Sequence, residues 1–178
     1  ISVQQSVYNP GNMEIANRLF EIPDTLVLGI GPPACIRVLY FRALACGKLS
    51  NLRLIPLSSL DYTFGDYLTR IGNILDELLD KSYYKGIILY ISCPDIISQT
   101  DFDRMINQVK NSRNIPIEIF KRGPMERRKN KPLDRLDSIA RRIEEFSKSN
   151  DFPLAQDDGL CQLPPPAADY TGVASLFP

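Results

Sequence analysis

Continuous apolar runs alternate with stretches of helical period along this chain, and no other feature narrows the fold as far. Residues 25–30 (Thr-Leu-Val-Leu-Gly-Ile) and 86–92 (Gly-Ile-Ile-Leu-Tyr-Ile-Ser) are apolar at nearly every position instead of every second one. A strand with one wet face alternates. A run without alternation suits a strand covered on both faces, as in parallel sheets. Residues 51–57 and 115–120 read as two further strands. Pro56, near the end of the first of these, places that strand at a sheet edge, because proline cannot donate to a ladder.

Between these runs, apolar residues recur at spacings of three and four. Residues 13–20 predict a helix that Pro23 stops. Residues 35–46 predict another, with Ile36, Leu39, Tyr40 and Ala43 on one face and Gly47 as its C-terminal punctuation. The strongest stripe runs over 64–80, from Phe64 and Tyr67 through Ile71 and Leu75 to Leu79. Residues 101–111 and 133–146 complete the series, with Phe102, Met105, Leu136, Ile139 and Ile143 among their inward positions. Strand and helix alternate four times, which means parallel strands with right-handed crossovers. The expected fold is α/β: a single doubly wound, Rossmann-like parallel sheet of four strands flanked by helices, over residues 1–150.

Residues 151–178 have a different composition. They hold five prolines, four aspartates and no Lys or Arg, and they predict an extended C-terminal tail, acidic and Pro-rich. With 178 residues, the chain is long enough to bury roughly two-thirds of its unfolded surface, so it needs neither metal nor disulfide merely to fold. Lys+Arg and Asp+Glu both number 21, so no net charge draws it to nucleic acid or to an anionic membrane. The longest apolar run is too short to cross a bilayer, and residues 1–21 hold no signal-peptide core. Position 1 is Ile, which points to a start upstream or an altered one. The expected location is the cytoplasm. Histidine is absent, which removes every Ser-His, Cys-His and His-metal arrangement within the chain.

Four cysteines remain. In an open α/β sheet, ligands bind beyond the carboxyl ends of the strands, where the strand order reverses. Cys35 follows the first strand and Cys93 the third, and these strands are neighbours in the common doubly wound orders. Two soft thiolates there suit an iron–sulfur cluster or zinc. The bland alternative is that both are small buried hydrophobes, since free Cys is among the most buried residue types. Cys46, three turns beyond Cys35, reads as a core thiol, and Cys161 in the tail as a free surface thiol. The turn after residue 30 is not G-x-G-x-x-G, and Pro32 and Pro33 remove N–H donors that a phosphate would need. Residues 121–131 hold six basic residues and one acid, and read as solvated surface or as a dock for an acidic partner, or for the acidic tail.

Four segments carry a family resemblance. Leu26-Val-Leu-Gly-Ile-Gly-Pro-Pro-Ala-Cys35 resembles the strand and Gly-Cys turn of the nitrogenase component 1 family, which includes molybdenum–iron protein subunits, cofactor scaffolds and dark protochlorophyllide reductase subunits. Tyr62-Thr-Phe-Gly-Asp66 resembles its Phe-Gly element, and residues 86–101 its strand, Thr-x-Cys and Ile-Ile-Gly-Asp elements. Residues 115–124 resemble its next strand and Pro-Gly turn. The resemblance covers the first domain only, about residues 8–146. It implies that Cys35 and Cys93 match two of the family's three cluster-holding cysteines. Asn9 stands where the first would fall, and Ile30 replaces a family His. With two thiols per chain, the implied cofactor is a 4Fe-4S cluster shared across a homodimer or with a nitrogenase-like partner subunit, reduced by an electron-donor iron protein. The implied activity is that of an oxidoreductase-type electron-transfer subunit. The alternative is a non-catalytic assembly or interaction protein that keeps the fold and has lost the cluster.

Overall fold

In the computed structural model, the described residues are 10–81, 84–123, 126 and 130–150. The tail from 151, with Cys161, and the segment containing Asn9 lie outside them. Four strands, β1 (Thr25–Gly31), β2 (Leu52–Pro56), β3 (Gly86–Ile91) and β4 (Ile117–Lys121), form one sheet in the order β2-β1-β3-β4. All three pairings are parallel. The protein is therefore the doubly wound α/β sheet that the alternation implies.

Seven α-helices accompany the strands among the described residues: α1 (Pro10–Glu21), α2 (Pro33–Ala45), α3 (Ser59–Phe64), α4 (Tyr67–Lys81), α5 (Cys93–Ile97), α6 (Phe102–Gln108) and α7 (Pro132–Ser149). Strand side chains alternate between faces, and the core divides accordingly. Val27, Ile88, Tyr90 and Phe120 pack under α1, α2 and α7, while Leu26, Leu28, Ile30, Ile87, Leu89 and Ile91 pack under α4 and α6. Every residue of β1 and β3 is buried. That two-sided burial is why these strands read as unbroken apolar runs. β2 is an edge strand that ends on Pro56, where the missing N–H costs no interior ladder bond.

Three elements differ from the sequence expectation. The helix predicted over 64–80 begins at Tyr67, and Phe64 ends α3 with 73% of its surface exposed. The cause is local. Ser58 and Asp61 form a reciprocal capping box that starts a separate short helix, and Gly65 at φ 76 closes it in the left-handed region. Secondly, the one-turn α5 follows β3 directly, in a stretch for which the sequence pattern predicts no element. Thirdly, the helix predicted over 101–111 stops at Gln108. Asn111 folds back on the chain, accepting from Ile115 N–H at 3.0 Å and donating to Ile115 C=O at 2.7 Å. No helix among the described residues is long and apolar enough to cross a membrane.

The close seat of α7 on the sheet depends on Gly86, because a Cβ there would lie 2.7 Å from Ile143 Cδ1 and 2.8 Å from Cγ1. Gly86→Ala overpacks this contact and should cost about 1–3 kcal/mol. The expected result is a lower urea midpoint with an unchanged slope. An unchanged midpoint would show that α7 has slack.

Candidate functional site

β1 runs between β2 and β3, so the chain leaves β1 to one side and returns to its other side. The reversal point of the sheet thus lies between the carboxyl ends of β1 and β3. Register Ile30↔Ile91 brings those ends level. Gly31 closes β1 at φ 143, and its Cα lies so close to Ser92 that a methyl group there would overlap the serine hydroxyl. Only glycine meets both conditions.

Cys35 stands in the first turn of α2, after Pro32 as N-cap and Pro33 at the first helical position. That position tolerates proline because its N–H would have no helical partner. Cys35 N–H donates to Pro32 C=O at 2.8 Å, and the residue is exposed. Cys93 opens α5 and is half-buried. Its sulfur lies over Gly123, where a side chain would collide with it. Burial pushes the Cys35 thiol up from its ordinary pKa, and the neighbouring Cys93 pushes it further. The Tyr90 phenol is pushed up to about 12, first by burial; Arg122 opposes the rise and both thiols add to it. One phenol, one guanidinium and two thiols therefore share the crevice on the α2 side of β3.

The fold thus brings Cys35 and Cys93 to one end of adjacent strands. It does not treat them as core residues, which removes the buried-hydrophobe alternative for the exposed Cys35. Cys46 corrects the expectation of a core thiol, because it is exposed. α2 ends at Ala45, and Cys46 is its C-cap, donating its N–H to Arg42 C=O at 3.0 Å. The turn at Gly47 (φ 65) carries the chain off the face that buries Ile36, Leu39 and Ala43. From the basic stretch, Lys121 and Arg122 are half-buried, and Glu126 pairs with Arg135 at 3.5 Å.

On the α4 side of the same strand end lies a polar cluster that sequence reasoning missed. Asp95, 2% exposed, accepts from Tyr67 Oη at 2.8 Å on one carboxylate oxygen and from Tyr62 Oη at 3.0 Å on the other. Tyr67 Oη also lies 3.1 Å from Thr100 Oγ1, and the two phenol rings meet edge-on at 5.4 Å. Buried charge is tolerated when it is hydrogen-bonded. Ser92 Oγ is buried and lacks a hydrogen bond of sound geometry, although it faces the Tyr62 phenol closely enough to favour its ionised form. A buried carboxylate in the first turn of a short helix, with tyrosines two and three elements earlier in the chain, has no periodic signature. Its only trace in the sequence is an acid in a turn after a buried strand.

Burial pushes the Tyr62 phenol far up and the Tyr67 phenol up to about 12, and the Asp95 charge adds to both shifts. Thr100 and Ser92 oppose it, at Tyr67 and Tyr62 respectively. The folded chain therefore holds protons that the unfolded chain releases near the ordinary tyrosine value of about 10. Their contribution to stability is complete below about pH 10 and is lost as pH rises through about 12. Phenolate absorbance should rise in two stages, with the later one coinciding with loss of helical circular dichroism. A single early stage would mean the phenols are not held.

Compared with protein-family models, curated proteins and solved structures, the chain matches none.

Proposed function

We propose that the chain is a nitrogenase-like, iron–sulfur-binding electron-transfer protein, in which two copies share one four-iron cluster through Cys35 and Cys93 of each. The observation that carries this reading is the convergence of the two thiols at the reversal point of the sheet, with Cys35 open to solvent. The four segments that resemble the nitrogenase component 1 family support it.

The donor set bears on how a cluster fits. A four-iron cluster takes four cysteine thiolates, and one chain offers two at this crevice. Among the described residues, no group of three His, Cys, Asp or Glu side chains could hold a metal ion. A two-fold axis doubles any set of residues, so the thiols suit a shared cluster and not one enclosed by a single chain. Bound there, the cluster would supply one-electron transfer at a potential set by burial and by hydrogen bonds to sulfur. Cys35 and Cys93 would bind as thiolates, and Gly123 leaves the Cys93 sulfur its room. Leu60, Phe64 and Ile97 are 64%, 73% and 62% exposed on α3 and α5, the segments that follow the ends of β2 and β3. Apolar surface of this kind suits a subunit contact, whether with a second copy or with a nitrogenase-like partner. An iron protein is the proposed electron donor and the cytoplasm the proposed location, where thiols stay reduced.

The same apolar side chains favour a second reading, a non-catalytic assembly or interaction protein that keeps the fold without the cluster. Anaerobic reconstitution separates the two. The first reading predicts a brown protein with roughly four irons and four sulfides per two chains. Cys35→Ser or Cys93→Ser should abolish iron uptake and loosen the dimer together, because a cluster stabilises only the assembly that binds it. Cys46→Ser and Cys161→Ser should leave iron content intact. A colourless parent protein with reactive thiols would overturn the cluster and leave the interaction protein.

A further inference from the structure

α5, which carries Cys93, is a poor helix by itself. It has five residues, and its N-cap Ser92 makes no side-chain capping bond. Isolated helices so short do not persist in water. Ile96 packs partly against the core, but the one fully buried residue of α5 is Asp95, two residues after the thiol. Each carboxylate oxygen of Asp95 takes one phenol, Tyr67 at 2.8 Å and Tyr62 at 3.0 Å. Thr100 N–H closes the turn onto Asp95 C=O at 3.0 Å.

The two phenols arrive on different elements. Tyr67 is buried at the start of α4, a helix anchored in the core by Ile71 and Leu75. Tyr62 belongs to α3, which has no buried side chain. α3 is tied down by the Tyr62 hydroxyl, by its ring against Tyr67, and by the Asp61–Arg70 ion pair at 3.2 Å. Its own integrity rests on the Ser58–Asp61 capping box and on Gly65. A displaced α3 takes one phenol from a buried carboxylate, and an oxygen left unpaired there is costly. The turn that presents Cys93 then opens more readily.

We propose that Tyr62 and Tyr67, acting through Asp95, are positioning residues for the Cys93 thiol, and that α3 is the latch that carries one of them. The use assigned to Cys93 rests on the cluster reading, but its positioning does not, so the test is made on the metal-free, reduced, full-length chain. Limited alkylation with iodoacetamide, followed by peptide mass analysis, gives a separate rate for each cysteine. In Tyr62→Phe and Tyr67→Phe, the Cys93 rate should rise roughly ten-fold or more, the scale of local opening that a lost hydrogen bond to a charged group allows. Ser58→Ala should move Cys93 the same way, although its hydroxyl bonds to Asp61 inside the cap of α3. Ser58 is exposed, so this variant tests the latch even if a tyrosine variant folds poorly. Cys35 and Cys46 should keep their parent rates throughout.

An unchanged Cys93 rate in folded Tyr62→Phe and Tyr67→Phe would overturn the proposal. So would a rise at Cys35, Cys46 and Cys93 in step, which would mean general loosening. An unchanged rate in Ser58→Ala alone would overturn the latch and keep the tyrosines as positioning residues. A parent chain that takes up no iron would sink the cluster and leave the alkylation result standing, so the two failures are told apart.

Discussion

The parallel pairing of β1 with β3 is the constraint on which the rest of the structure depends. It runs in register from Thr25↔Gly86 to Ile30↔Ile91, and every residue of both strands is buried. Two strands in that position need cover above and below. α1, α2 and α7 provide it on one face, and α4 and α6 on the other. The crossovers follow from this. α2 leads from β1 to β2 on one side, and the chain then passes over β1 by way of α4 to reach β3. The carboxyl ends of β1 and β3 are left side by side where the order reverses, so the site is a consequence of how the core is covered.

Glycine makes that end work. At Gly31 and Gly123 the backbone comes so near Ser92 and Cys93 that no side chain fits between. Close approach has an energetic side. Where backbone and core side chains crowd a phenol, little water reaches it and it resists ionisation, and the exposed Cys35 feels the same effect through its partly covered side. The raised values for Tyr90, Tyr62, Tyr67 and Cys35 have burial as their first cause. The two sides of β3 nevertheless differ in chemistry. The α2 side gathers soft, titratable sulfur beside Tyr90 and Arg122. The α4 side holds a buried carboxyl group satisfied by hydroxyls. Asp95 and Cys93 sit on the same short turn, so the hydrogen bonds of the polar side bear on the geometry of the thiol side.

Stability is spread unevenly across this arrangement. Ile71 and Leu75 are fully buried on α4, and burying such a side chain contributes about 1.5–3 kcal/mol. α3 and α5 bury no apolar side chain fully: Tyr62 and Ile96 pack only partly against the core, and Leu60, Phe64 and Ile97 face outward. Elements with few buried contacts open at lower cost than the core. The less firmly held helices thus include α5, which carries Cys93, and α3, which is tied to it through Asp95, whereas Cys35 stands on the well-anchored α2.

The sequence by itself determined the layered α/β architecture, because burial on one face or two imprints a period that any reader of the chain can measure. The two apolar runs became the central strands, Pro56 ended an edge strand, and Cys35 and Cys93 came to one end of adjacent strands, since they followed strands one and three. Capping also left a trace, for Ser58 and Asp61 stand at the spacing that splits α3 from α4, even though the apolar stripe suggested one helix. Other features had no local code. Exposure of Cys46 was decided by where α2 stopped, and a stripe of period 3.6 does not say where its last turn lies. The pairing of Asp95 with Tyr62 and Tyr67 was decided by tertiary structure alone. Those residues are separated by 33 and 28 positions in the chain, and they meet only because β3 and α4 are packed face to face. Hydrogen bonds between side chains so far apart depend on distances that no periodicity encodes, and for that reason the polar half of the site emerged only with the fold.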